Sequence, residues 1–172
     1  MSFKIYDASV PVIAHVLGSL SAILAKGEAH AEARKIAPEV FLAARLSPDM
    51  HPLTRQVQIA CDVSKGTAAR LAGIEVPSHP DDEKSFAELQ ARLTKTIDFI
   101  KSIPPTKFDG AETREVTLNP PGRPPMIFTG TNYLFQFGLA NIYFHVTTAY
   151  DILRHNGVEL GKADFLAGAK RA

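Results

Sequence analysis

The stretch that decides the fold is Asn141-Ile142-Tyr143-Phe144-His145-Val146-Thr147-Thr148-Ala149-Tyr150, which reads as the middle of the longest and most apolar helix in the chain. At about 100° per residue, Leu134, Asn141, His145, Thr148 and Ile152 fall on one narrow line, so three polar groups sit on an apolar face. Polar groups that leave water need partners. The line is therefore expected to face another polar group, a water, a metal or a ligand. On the opposite side Tyr143 and Tyr150, with Leu139 and Val146, make the helix apolar nearly all round, which predicts burial on both sides. The cover is either the hairpin that precedes this helix or a second copy, and a homodimer is the expectation because the symmetric dimer is the commonest oligomer.

Working outward, this helix starts after a cap at Thr129 or Thr131 and runs to His155, with Arg154 and His155 in its last turn and Gly157 just beyond. Before it, Glu112 to Phe128 changes period: Val116 and Leu118 alternate with polar neighbours, Asn119 to Pro125 is dense in Pro and Gly, and Met126 and Phe128 alternate again. Two short strands joined by a turn are predicted. An isolated hairpin is marginal in water, so this one should lie over the helices or against a second chain.

Three more long helices precede the hairpin. In the first, Tyr6, Val10, Ile13, Leu17, Leu20 and Leu24 step by fours and threes, the seam spacing of a helix in a bundle. Asp7 or Ser9 is expected to cap it, Pro11 belongs in its first turn, and Gly27 is expected to stop it, with a short polar piece from Glu28 to Lys35 following. A short helix over Pro38 to Ala44 ends at Ser47-Pro48. The second long helix runs from His51-Pro52 to Leu71 with Gly73 as its stop; its apolar side is Leu53, Val57, Ala60, Cys61, Ser64, Ala68 and Leu71. His51, Arg55, Gln58 and Asp62 share the opposite face and are placed toward solvent, with Asp62 and Lys65 as a local pair. In the third, Asp81, Asp82 and Glu83 suit a helix N-terminus, Ser85 and Glu88 have capping-box spacing, and Phe86, Leu89, Leu93, Ile97, Ile100 and Ile103 form a stripe that Pro104-Pro105 ends.

The 172 residues, 45% hydrophobic, can bury a substantial core and fit one domain spanning the chain. The net charge of +1, from 19 basic and 18 acidic residues, offers no basic field, so nucleic acid is not an expected partner. A single cysteine, Cys61, makes no internal disulfide and supports no cysteine-rich zinc site, which places the chain in a reducing, cytoplasmic compartment. Ala8 to Ala25 is nearly free of charge, yet no positive cluster precedes it and its apolar residues are periodic, so it is read as a core helix and not as a membrane span. Together these elements predict an all-α four-helix bundle with a small β-hairpin on a long crossover between the third and fourth long helices.

The run Arg45-Leu46-Ser47-Pro48-Asp49-Met50, with Gln56-Val57-Gln58-Ile59-Ala60-Cys61-Asp62, Tyr143-Phe144-His145 and Ala149-Tyr150, resembles a family of uncharacterised bacterial proteins that is itself similar to the DinB-like four-helix bundles. The resemblance covers nearly the whole chain, from Tyr6 through Asp164-Phe165-Leu166. It implies a DinB-like fold and carries no activity for this branch. The wider superfamily implies a divalent metal, zinc or nickel, held by three histidines, one on the second helix and two spaced i, i+4 on the fourth. His145 matches the first of the fourth-helix pair, but the second position is Ala149 and the second helix offers only Gln58 and Asp62. What remains is a degenerate set of His145, Asn141 and Asp62, with His145 as the metal ligand, and Asp62 reaches it only if the second helix is rotated far from the solvent-facing placement.

Against the metal stand a histidine satisfied by a neighbour or water and a polar pocket for a small organic ligand formed by Asn141, His145 and Thr148 with Asp62. Arg45, Asp49 and His51 flank a proline-bounded loop that could line a pocket mouth, although Arg45 with Asp49 is more often a local ion pair. No P-loop, dinucleotide fingerprint, HExxH or serine-nucleophile elbow occurs. The expected function is thus small-ligand binding, or no chemistry of its own, with a metal-dependent transferase or hydrolase as the competitor.

Overall fold

A computed structural model describes residues 4–167. The described elements are α1 (Ile5–Arg34), α2 (Pro38–Leu42), α3 (Leu53–Ala72), α4 (Phe86–Ser102), a 3-10 turn (Pro105–Phe108), β1 (Glu115–Leu118), β2 (Met126–Thr129), α5 (Gly130–Asn132), a π-helical segment (Tyr133–Gly138), α6 (Leu139–His155) and α7 (Lys162–Phe165). The four expected long helices are α1, α3, α4 and the continuous run from α5 to α6; α3 packs on both α4 and α6, and α1 closes the bundle on the other side. The predicted seams make one core: Ile13, Leu17, Leu20, Leu24, Leu53, Val57, Leu89, Leu93, Ile100, Ile142 and Ile152 are all fully buried. Each such side chain contributes roughly 1.5–3 kcal/mol by leaving water.

The strands pair antiparallel with Val116 opposite Phe128 and Leu118 opposite Met126. Val116 is buried, and Phe128 packs on Tyr133 and Phe137 at ring distances of 5.9 and 5.7 Å, so the inner face of the hairpin lies over the start of the fourth long helix. Capping is local and follows the expected residues at several ends. The Ser85 hydroxyl accepts from the Glu88 amide at 3.2 Å, Thr129 caps the last helix by accepting from the Asn132 amide at 3.4 Å, and Gly73 ends α3 at φ 67°.

Several local expectations are corrected. Gly27 does not stop α1, which runs on to a left-handed Lys35 at φ 54°. A Cβ on Gly27 would lie 2.9 Å from a Leu153 methyl, so this glycine marks a close helix approach. α1 starts at Ile5 with no side-chain cap; Ser9 instead donates to the Ile5 carbonyl at 2.7 Å, and Pro11 lies in the second turn, where the Asp7 carbonyl loses its usual donor. α1 is long and apolar enough to cross a membrane by length and composition, with 56% of its most apolar window buried by the bundle.

The largest correction concerns α3, which is not open to solvent opposite Leu53. Gln58 and Lys65 are buried, and the irregular strap between α3 and α4 lies across that face. Two of its acidic residues, Asp81 and Glu83, turn inward instead of serving the α4 N-terminus, while Asp82 stays exposed. Asp81 pairs with Arg55, Glu83 accepts from the Gln58 amide at 2.9 Å, and Arg92, reaching up from α4, binds both.

Candidate functional site

His145 lies on α6 facing the start of α3, half-buried. Its Nδ1 is 2.7 Å from Oε1 of Gln56, a residue only 2% exposed. The Gln56 amide nitrogen donates to the His51 carbonyl at 3.1 Å. That second bond sets the first: a flipped amide would bring two acceptors together at His51, so Gln56 presents oxygen to the ring and Nδ1 must carry the proton. Burial, reinforced by the nearby His51 and Arg55 charges, holds the imidazole below its ordinary pKa. The neutral ring therefore keeps its proton on Nδ1 and leaves the Nε2 lone pair free, with no Nε2 hydrogen bond among the described residues.

The other members of the expected line behave differently. Thr148 is buried and donates to the Phe144 carbonyl of its own helix at 2.7 Å, which uses its hydroxyl. Asn141 is half-buried one turn before His145. Leu134 and Ile152 are fully buried and close the line at both ends.

Asp62 is not brought to His145. Its Oδ1 accepts from Arg92 Nη2 at 2.8 Å and also pairs with Lys65, the local partner expected from the sequence. Arg92 is 4% exposed and both terminal nitrogens are engaged: Nη1 donates to the Pro80 carbonyl at 2.7 Å and to Glu83 at 2.8 Å, while Nη2 binds Asp62 and Asp81 at 2.8 Å each; Nε is buried with no partner among the described residues. Burial alone would push the Asp81 and Glu83 carboxyls up, but Arg55 and Arg92 hold the first, and Arg92 and Gln58 the second, below their usual values. This network fastens the strap to the bundle and leaves a cavity of about 460 Å³ beside it, lined by His79, Glu83, Arg92 and Lys95 among others. The sequence offers no local sign of it, because Arg92 reads as one more charge on an amphipathic helix.

The other candidates resolve as structural groups. Arg45 and Asp49 are not paired with each other: Arg45 donates to the Met50 carbonyl at 2.9 Å and Asp49 accepts from Ser47 at 2.6 Å, so together they brace the loop before α3. Cys61 is free and sealed in the core, where burial pushes its thiol up to about 12. On the far side of α6, Tyr150 is half-buried against Phe165, but Tyr143 is 39% exposed and the hairpin does not cover it.

A three-histidine metal set does not fit this chain. The position one turn after His145 is the fully buried Ala149, and no group of three or more His, Cys, Asp or Glu side chains among the described residues is placed to hold an ion.

Comparison with known proteins bears on this fold and site. Residues 5–166 match the family described as "Domain of unknown function (DUF1993)". The structure is similar to the crystal structure of a DinB family member protein from Shewanella denitrificans, with a TM-score of 0.87 and 40% sequence identity over 97% of this chain and 94% of that one. No curated protein matches. With its family match running almost from end to end and its DinB-like bundle of long helices carrying a two-stranded hairpin, this chain belongs to the DUF1993 family, a domain of unknown function.

Proposed function

We propose that the protein binds a small organic molecule at the junction of α3 and α6, with Nε2 of His145 as the recognising acceptor. The observation that carries this reading is the Gln56 contact, which fixes one tautomer of a half-buried neutral imidazole. A hydroxyl, amine or amide N–H is the complementary ligand group. Asn141, one turn away, supplies a second polar contact. Bundles commonly build sites between facing helices in this way. The test is an NMR screen of small alcohols, amines and amides that follows the His145 ring nitrogens. Binding should move the Nε2 resonance and vanish in His145→Leu, yet survive in Thr148→Val, whose hydroxyl serves its own backbone. A screen in which no compound perturbs Nε2 sinks the reading.

A metal-dependent transferase or hydrolase is favoured by one feature only: an imidazole whose Nδ1–H is held by a second residue is also how proteins orient metal-ligating histidines. Elemental analysis of protein purified without chelator or histidine tag, beside His145→Ala, decides between the two. Near-stoichiometric zinc or nickel lost in the variant supports the enzyme; a metal-free wild type with no metal-induced rise in Tm rejects it.

A further inference from the structure

No carboxylate serves the junction of α3 and α6. From Gly130 to Tyr150 the chain has no Asp, Glu, Lys or Arg, and Asp62, the single acid of α3, is held by Arg92 of α4 and by Lys65. Arg55 of α3 is paired with Asp81 of the strap. The register of the two helices is fixed at two points: Gln56 meets His145, and Gly138 lies against Thr67, whose hydroxyl would stand 2.8 Å from a Cβ there. Between those points Ile59 and Val63, three and seven residues after Gln56 and so on the same side of α3, are half-buried, and α6 carries Asn141.

Around α6, Asn141 lies about 40° from His145 and Phe144 about 100° in the same direction. The Asn141 amide therefore projects between the two rings, one turn toward the N-terminus. Its side chain is half-buried and has no hydrogen bond among the described residues. Phe144 is 58% exposed, and its ring stands perpendicular to the imidazole with centroids 5.2 Å apart. An open aromatic ring, an amide that both donates and accepts, and the Nε2 lone pair thus share one patch.

Resting on the reading that Nε2 of His145 receives a ligand hydrogen, we infer that this patch selects an uncharged aromatic compound bearing an O–H or N–H donor, an aryl alcohol or aryl amide, with its donor on Nε2 and its ring against Phe144. Asn141 then donates to the oxygen of the same alcohol or amide. Other ligand classes fit worse. An anion would bring its charge to the lone pair of a neutral imidazole, and Arg55 is already paired. An organic cation would find no carboxylate at the junction, and a charge taken out of water without a partner is costly. A donor with no apolar body would leave the Phe144 ring in water. A ring packed edge-on or offset against it gains roughly two- to tenfold in affinity.

The experiment is a set of NMR titrations of the full chain that follow the His145 ring nitrogens, at a pH where the imidazole is neutral. The probes are benzamide, benzyl alcohol, acetamide, benzoate and benzylammonium. Benzamide and benzyl alcohol should move the Nε2 resonance, and benzamide should bind roughly two- to tenfold more tightly than acetamide, its analogue without the ring. Phe144→Ala should remove that advantage and leave acetamide binding as it was, which also shows that the variant is folded. Tyr143→Ala, which deletes an exposed aromatic on the far side of α6, should change neither. Equal affinities for benzamide and acetamide, or benzamide binding indifferent to Phe144→Ala, overturn the inference and leave the binding role of His145 standing. So does benzoate or benzylammonium binding as tightly as benzamide. A wild type in which no probe moves Nε2 overturns both.

Discussion

Oε1 of Gln56 accepts a hydrogen bond from Nδ1 of His145 at 2.7 Å, and Gln56 is itself held by the His51 carbonyl. One buried amide thus decides which nitrogen of the ring is available. Gln56→Leu should release that choice, seen as a shift of the His145 nitrogen resonances toward the Nε2–H tautomer. Losing the buried contact should cost about 1–3 kcal/mol in urea denaturation. Gln56→Glu should instead raise the His145 pKa, because a carboxylate favours the imidazolium.

The depressed pKa of His145 makes stability depend on pH in one direction. Between its folded value and the unfolded value near 6.5, the unfolded chain binds more protons, so stability is fully present above that range and falls as pH drops through it. His79, also depressed by burial and by Lys65 and Lys95, acts with the same sign. Urea titrations of the wild type at pH 7.5 and 5.5, above the titration of most carboxylates, should show the loss at the lower pH. His145→Gln should be less sensitive over that interval, and an unchanged slope would refute the assignment.

How much of this was legible in the sequence depends on how far each residue's partner lies along the chain. Ser85 with Glu88, Gly73, and the Phe86 to Ile103 stripe are settled within a turn or two, and the structure follows them. Gly27 carries the same local signal as a helix stop, and only the Leu153 side chain from another helix shows that it is a packing contact. The polar line through Asn141, His145 and Thr148 was visible from periodicity, but His145 finds its partner 89 residues away in Gln56, a position that helical spacing cannot single out. The solvent-facing placement of Asp62 fails for the same reason: Arg92, 30 residues on in α4, reaches across to it. The π-helical turn at Tyr133–Gly138 has no sequence signal at all.

Arg92 is the group whose loss should loosen the strap. Removing it leaves Glu83, whose side chain is 10% exposed, without its cation. Breaking a buried pair costs about 3–5 kcal/mol, and the partial exposure of Asp62 and Asp81 puts Arg92→Met near the lower end of that range. Arg92→Lys should recover little, because one ammonium cannot span the four acceptors of the guanidinium fork. Amide hydrogen exchange should rise across residues 75–85 in both variants while α1 stays protected; uniform protection of the strap would contradict this role.

Gly130 should tolerate no side chain. A Cβ there would stand 1.8 Å from the Ala111 carbonyl oxygen, and that oxygen belongs to backbone, not to a side chain that can swing away. The segment is also tied down, since the Thr131 amide and hydroxyl both bond the Glu112 carbonyl at 3.1 Å. Gly130→Ala must therefore displace the chain where β2 turns into α5, at a cost of about 1–3 kcal/mol by the usual scale of overpacking. Gly27→Ala presses on the methyl end of the Leu153 side chain and otherwise meets Phe86 at an ordinary 3.5 Å, and the helix propensity gained, about 1 kcal/mol, offsets part of that contact. Thermal denaturation of the two variants side by side should show a clear drop in Tm for Gly130→Ala and a smaller change for Gly27→Ala. The reverse order would mean that the hairpin junction moves more freely than the α1 to α6 contact.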